Sequence, residues 1–301
     1  AKHKNKSRTT LRRGPRSLYA TTMTPRQIAL ATLSPVCFGM GFTIAKPALD
    51  QFPPLFMMLM VYGAIALYFV AIRRSRVATP WASIMVIASC AVTIQGAMLF
   101  GALRELTATT TSLVLQMQVP FAVILGWIML GESFDWRKTL GTLVALLGVV
   151  MVIGLPEEKP PFWPVVIVIA SGFVWALGQA LARKLGKDRG LGILQANSYG
   201  AVPQLLLATL LLESGQIEAV MSATPLHWAM LAFVAVVGFY IAYAAFYSVL
   251  SQCRMDEVAP FILLMPLISV LTAWALLGES VSFAQMAGGL VIMAGLGVIT
   301  G

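Results

Sequence analysis

From Gln27 onward the chain is a succession of apolar runs of about 20 residues, each closed by charges or a Pro/Gly cluster. Wound as a helix, such a run matches the ~30 Å hydrocarbon core of a bilayer. A helix also satisfies its own backbone polar groups, which lipid cannot do for it. The runs lie at Gln27–Ala45, Pro53–Ile72, Trp81–Leu103, Thr107–Leu130, Leu140–Ile153, Pro164–Leu185, Ile193–Leu212, Trp228–Leu250, Glu257–Leu277 and Gln285–Thr300. Only 11% of the residues are charged, against ~25% in soluble domains, and the deficit is spread along the whole chain. The expected fold is all-α and integral to the membrane, with ten transmembrane helices.

Placement of charge tests that number. Eight of the 21 basic residues precede the first run: Lys2, Lys4, Lys6, Arg8, Arg12, Arg13, Arg16 and Arg26. Residues 1–26 contain no acidic residue and read as a disordered cytoplasmic tail rather than a nucleic-acid surface. Their Arg, Ser and Thr content also suits a transit peptide, and Met23 suits an alternative start. With the N-terminus inside and sides alternating, the inner segments also collect Arg73, Arg74, Arg76, Arg137, Lys138, Arg183, Lys184, Lys187, Arg189 and Arg254. The outer segments hold only Lys46, Arg104 and Lys159, a split of 18 to 3. Ten spans with both termini in the cytoplasm satisfy the positive-inside rule for a protein of the cell inner (plasma) membrane. Cys37, Cys90 and Cys253 stand in no CxxC or Cys/His spacing, and the histidines are only His3 and His227. No metal site, cofactor or disulfide framework is expected.

The chain also repeats. Trp127-Ile-Met-Leu-Gly131-Glu132-Ser133 returns as Trp274-Ala-Leu-Leu-Gly278-Glu279-Ser280, an offset of 147 that continues to Gly141/Gly288 and Gly148/Gly295. Phe100/Phe246 and Pro120/Pro266 match at 146, and Phe38 with Lys46 are spaced like Trp175 with Arg183. Residues 27–155 and 164–301 are therefore two copies joined by a linker at 156–163. Five spans per copy is an odd number, so the second enters the membrane inverted, as in transporters that alternate access about a midplane site. A duplicated scaffold without transport is the alternative.

A proline followed by Trp-x-x-x-Gly-Glu-Ser and a Gly-rich last helix, present twice, resembles the EamA domain of the drug/metabolite transporter superfamily. Ser112-Leu-Val-Leu-Gln116-Met-Gln118-Val-Pro-Phe and Val258-Ala-Pro260-Phe-Ile-Leu-Leu-Met265-Pro266 are similar to the bacterial branch exporting O-acetylserine, cysteine and related amino acids. The resemblance implies an inverted-repeat exporter with a cavity lined by the first, third, fourth, sixth, eighth and ninth helices.

Every Asp and Glu falls in a loop or at a helix end. A proton-coupled pump usually needs a carboxylate at membrane depth, so a neutral or zwitterionic cargo moved by facilitated efflux or weak coupling is favoured. Gln95, Gln116, Gln118 and Gln179 are the polar groups left at depth, able to pair a carboxylate or an ammonium. Interhelical hydrogen bonding is their other use. Gln116 and Gln118 stand about 200° apart on a regular helix, so they share a face only if Pro120 distorts the turn. Pro120 and Pro266 remove helix donors near mid-span and are the candidate gating hinges, with Pro260 a further break. Tyr240, Tyr243 and Tyr247 share one face of the eighth span, and together with Trp175 and Phe38 can wall a cavity or simply pack. Lys46 and Arg183 can guide an anion at each gate or snorkel to headgroups. Glu132 and Glu279 are expected to fix the turn into the last helix of each copy. Gly141, Ala145 and Gly148, mirrored by Gly288 and Gly295, let backbones meet within the fold or in a homodimer.

No GxSxG, HExxH or buried Asp pair supports an intramembrane enzyme, and no ring of charge or filter-like loop supports a channel. The reading is an exporter of small polar metabolites, amino acids or their derivatives foremost, with a drug, organic-cation or purine exporter as the alternative. Its partners are the small-molecule substrate and the bilayer, with no nucleic acid.

Overall fold

The computed structural model describes residues 24–131, 136–154, 159–250, 252, 261 and 264–300. Most of the basic tail, Glu132, the start of the linker, Cys253 and Pro260 lie outside these.

Helix starts are written locally. Thr24 caps Pro25–Gln51 (α1) through a reciprocal bond with Gln27, and Thr224 caps Pro225–Val249 (α8) in the same way with His227. Each is followed by a proline at the first helical position, where the missing N–H is harmless. Between them run Pro54–Arg73 (α2), Trp81–Leu103 (α3), Ala108–Leu130 (α4), Trp136–Gly154 (α5), Phe162–Leu185 (α6) and Leu191–Leu212 (α7). Leu264–Leu277 (α9) and Phe283–Thr300 (α10) complete the bundle. Six of these, α1 to α4, α6 and α8, are long and apolar enough to cross a membrane, with mean hydropathy from 1.8 to 2.4. Three shorter apolar helices lie at Leu143–Val152, Leu264–Leu277 and Phe283–Gly295.

α1 is longer than its apolar run because the helix continues through Pro47, as it does through Pro35. α5 likewise begins four residues before the expected Leu140, at Trp136. Exposed Trp81, Trp136 and Trp163 stand at the starts of α3, α5 and α6, where an indole suits the headgroup boundary.

Polarity is inverted relative to a soluble protein. Gln116, Gln195, Thr111 and Ser198 are buried, while Leu212 is 77% and Phe283 85% exposed. A continuous apolar exterior requires hydrocarbon around it, so this is a multi-span membrane protein.

Without a hydrophobic force between helices in lipid, backbone proximity decides packing. α5 pairs with α10 along a glycine seam: a Cβ on Gly148 would lie 2.6 Å from the Ile292 nitrogen, and one on Gly295 2.5 Å from that of Ala145. The small-residue stripe is thus consumed within one chain. α1 crosses α8 where a Cβ on Gly41 would lie 2.5 Å from the Gly238 Cα, and α6 crosses α3 with Gly178 equally close to the Ala91 nitrogen. Gly238 and Ala91 both sit in π-helical turns, Val234–Ile241 and Ser89–Ile94, where the widened turn brings backbone forward.

Helix ends are tied by side chains reaching across the chain. Glu213 accepts from the Leu55 and Phe56 amides at 2.8 and 2.9 Å, opening α2. Glu279 accepts from Ala108 and Thr109 at 2.8 and 3.1 Å, opening α4. Glu279 therefore caps another helix instead of fixing the turn into α10; Gly131 and Gly278, both left-handed, end α4 and α9. Lys46 donates to the Leu103 and Arg104 carbonyls at 2.7 and 2.8 Å, closing α3. At the opposite end Asp188 accepts from the Ala78 and Thr79 amides, and Gln195 donates to the Ser75 carbonyl. Glu279→Ala should remove a charged N-cap and lower stability by about 1–2 kcal/mol. A thermal melt in detergent unchanged from the parent would contradict this.

Candidate functional site

A cavity of about 60 Å³ lies between α1, α4, α6, α8 and α9. Ala31, Ser34, Pro35 and Phe38 supply the α1 wall, and Tyr243, Phe246 and Val249 the α8 wall. Gln118, Trp175 and Met265 close it from α4, α6 and α9. These residues belong to the first half of α1 and the last half of α8, so the cavity occupies the half of the bundle that holds the start of α1. Beyond Phe38 the bundle is shut by aromatic packing: Phe42 stacks on Phe100 at 6.0 Å, and Phe239 lies 6.0 Å from Phe100 and 5.7 Å from Tyr62.

Among the described residues the lining carries no charge. Its polar groups are the Ser34 and Tyr243 hydroxyls, the Gln118 amide and the Trp175 indole N–H. The indole can only donate, so the Tyr243 oxygen accepts from Trp175 while sharing a second hydrogen bond with Tyr62. Phe38 meets the Tyr243 ring edge-on at 4.8 Å, and Tyr247 stacks beneath it at 5.6 Å. The phenol is thereby held on both its polar and its aromatic sides. At about 60 Å³ the space takes roughly two waters, far below the ~300–1,000 Å³ of ligand pockets, so a metabolite enters only when the walls part.

Of the residues singled out from the sequence, Gln118, Trp175 and Tyr243 meet here. Gln179 lies beside them, hydrogen-bonded to Tyr247, which is also bonded to Asn197 of α7. Tyr240 is turned away: it pairs with Tyr68 at 4.9 Å, because the π-helical turn ending at Ile241 widens the angle between it and Tyr243. Gln95 is buried on α3 outside the lining. Gln116 is 1% exposed with neither amide atom bonded, on the side of α4 away from the lining. A short 3₁₀ stretch, Leu115–Met117, does precede Pro120, yet it does not bring Gln116 and Gln118 onto one face. Pro120 and Pro266 are both buried, the first two residues from Gln118 and the second beside Met265. The third helix is missing from the lining that the family resemblance implied.

Pro35 and Asn197 escaped the sequence reading. Pro35 carried the same signal as Pro120, a proline inside an apolar run, and Asn197 stood in the polar stretch Gln195-Ala-Asn-Ser198 of an otherwise apolar helix.

Among known proteins, the chain is 29% identical over 287 residues to a probable amino-acid metabolite efflux pump of Salmonella typhimurium, covering 89% of this chain and 92% of that one. The protein of the same description from Escherichia coli is 27% identical, with 91% and 94% covered. An S-adenosylmethionine/S-adenosylhomocysteine transporter of Chlamydia trachomatis is 23% identical, with 84% and 82% covered. A crystal structure sharing 15% identity superposes with a TM-score of 0.68 over 93% of this chain and 99% of its own, a likeness of fold. The EamA-like transporter family matches residues 26–154 and 162–301, one match on each half of the chain. With both matched ranges contributing helices to a cavity inside an apolar bundle, the chain belongs to the EamA-like transporter family.

Proposed function

We propose that this transporter exports small polar metabolites, amino acids or their derivatives foremost, through the uncharged cavity walled by Gln118, Trp175 and Tyr243. The observation that carries the reading is that lining: amide, hydroxyl and indole groups, with no charge among the described residues. Such groups can pair an ammonium and a carboxylate together without holding either ion permanently. The relatives described as amino-acid metabolite efflux pumps support the same class of cargo.

Ten spans in two inverted copies are part of the proposal. Helix pairing supports it, since exchanging α1–α5 with α6–α10 maps α1·α9 onto α6·α4, α1·α8 onto α6·α3, and leaves α2·α7 and α5·α10 unchanged. The matched crossings at Gly41 and Gly178 follow the same exchange. Helix-end ties support alternation, with Lys46, Glu213 and Glu279 at one end and Asp188 and Gln195 at the other. The charge split places the first of these ends outside and both termini in the cytoplasm of the inner membrane. The cavity then lies toward the cytoplasm beneath the Phe42–Phe100–Phe239 layer, and Pro120 and Pro266 are the bends about which α4 and α9 open. A homodimer would have to use faces other than the α5–α10 seam.

Proteoliposomes loaded with labelled amino acids should release them down their own gradient without an imposed proton gradient. Efflux that strictly required a proton gradient would overturn the neutral path. The aromatic lining of Phe38, Trp175, Tyr243 and Phe246 favours a second reading, a flat or cationic cargo such as a purine or organic cation. Release of those compounds alone would decide for it.

A further inference from the structure

Outside the central cavity, a second and larger cleft of about 520 Å³ opens between the first turns of α1, the end of α2, the start of α7 and the last half of α8. Its charged rim is made of Arg26, Arg73 and Arg189, all exposed, and no acidic residue lines it among the described residues. Its floor is apolar, with Leu30, Leu33 and Ile241 among the lining. The Arg73 guanidinium is steadied 6.0 Å from the ring of buried Phe69. The phenol of Tyr240, paired with Tyr68, forms the inner wall.

Arg26 in the first turn of α1, Arg73 at the end of α2 and Arg189 in the loop before α7 rim an apolar slot, a shape that a soluble anion does not need. Guanidinium forks match phosphate oxygens bidentately. Leucine walls at membrane depth match an acyl chain. We propose that this cleft binds an anionic phospholipid of the inner leaflet, its headgroup phosphate held by Arg26, Arg73 and Arg189 and an acyl chain laid along Leu30, Leu33 and Ile241. The leaflet rests on the orientation proposed above; the chemistry does not.

The position gives such a lipid a role. Leu30 and Leu33 face the cleft, while their neighbours Ala31 and Ser34 face the central cavity. On α8 the cleft is lined by Tyr240 and Ala244, and the cavity by Tyr243 and Phe246. The wall between the two spaces is therefore a single layer of α1 and α8. A lipid seated in the cleft braces the cytoplasmic ends of the helices that have to part for cargo to enter.

The test is lipid binding to the purified full chain in lipid-free detergent, followed by native mass spectrometry and thermal melting. Phosphatidylglycerol, phosphatidylcholine and inorganic phosphate are titrated separately. Phosphatidylglycerol should be retained and should raise the melting temperature where phosphatidylcholine does not. The double variant R73Q/R189Q should weaken phosphatidylglycerol binding about 10–30-fold, as loss of two interfacial cations predicts. R76Q, an exposed arginine on the same end but outside the cleft, should stay within about twofold. If the double variant does not fold, R189K keeps the charge without the fork and should weaken binding several-fold. Equal loss in R76Q, equal retention of phosphatidylcholine, or the same stabilisation by inorganic phosphate would each overturn the proposal. The readout involves no transport, so its failure leaves the export reading standing, and a failed efflux assay with lipid retained strikes that reading alone.

Discussion

Gly41→Val should be the most destabilising single substitution considered for this chain. Even one methyl at Gly41 would stand 2.5 Å from the Gly238 Cα, and that atom is backbone, unable to swing aside as a side chain would. The only relief is separation of α1 from α8, and α1 also packs on α9. In lipid no hydrophobic gain compensates the lost contact, because tails are as apolar as the helix surface. Overpacking of this kind costs about 1–3 kcal/mol for added methylenes in a close-packed core, and the branched valine should exceed that range. The melting temperature in detergent should fall by more than about 4 °C. Gly178→Val should behave likewise at the α6–α3 crossing, where Ala91 backbone is equally near. Gly101→Ala is the counterpart with opposite sign: nothing lies within 4 Å of its added methyl, and alanine improves the helix by about 1 kcal/mol. Melting of the Gly41 variant within error of the parent would show that the two helices do not meet as described.

The second large effect concerns affinity. Gln118→Leu keeps the volume and removes the amide that faces the cavity beside Trp175 and Tyr243. A hydrogen bond to a charged group contributes about 1.5–3 kcal/mol, so binding of a zwitterionic cargo should weaken roughly 10–100-fold. Gln95→Leu, outside the lining, should change affinity less than about twofold. Calorimetric titration of the purified protein with amino acids distinguishes the two. Unchanged affinity in the Gln118 variant, with loss in the Gln95 or Gln116 variant, would move the site elsewhere.

These two residues also show how far one dimension of sequence reaches. Gln116 and Gln118 are equivalent to any reading of hydropathy and spacing, both polar, both at depth, both ahead of Pro120. One lines the cavity and the other is buried unbonded behind it. The difference is rotation of α4 about its axis, set where α6 crosses it so closely that a Cβ on Gly172 would lie 3.1 Å from the Gln118 nitrogen, and not by anything near Gln116 in sequence. Tyr240 and Tyr243 part company for a related reason. The π-helical turn of α8, packed on α1 at Gly41, has a wider period, so a face assigned at α-helical spacing is lost there. Glu279 was legible as a helix-end residue, but its partners Ala108 and Thr109 lie 171 and 170 positions away.

Hydropathy and composition alone determined an all-helical membrane chain, and the recurring Trp-x-x-x-Gly-Glu-Ser motif its kinship to EamA transporters. Both are read along the chain, one as an average over stretches and the other as a local motif, and both survive any rotation of a helix about its axis. Only the tertiary structure decided which face each helix turns inward, that the α5–α10 glycines meet within one chain, and that Gln118, Trp175 and Tyr243 share a cavity. Those outcomes depend on close backbone contacts between helices far apart in sequence, where a single Cβ of clearance sets the rotation.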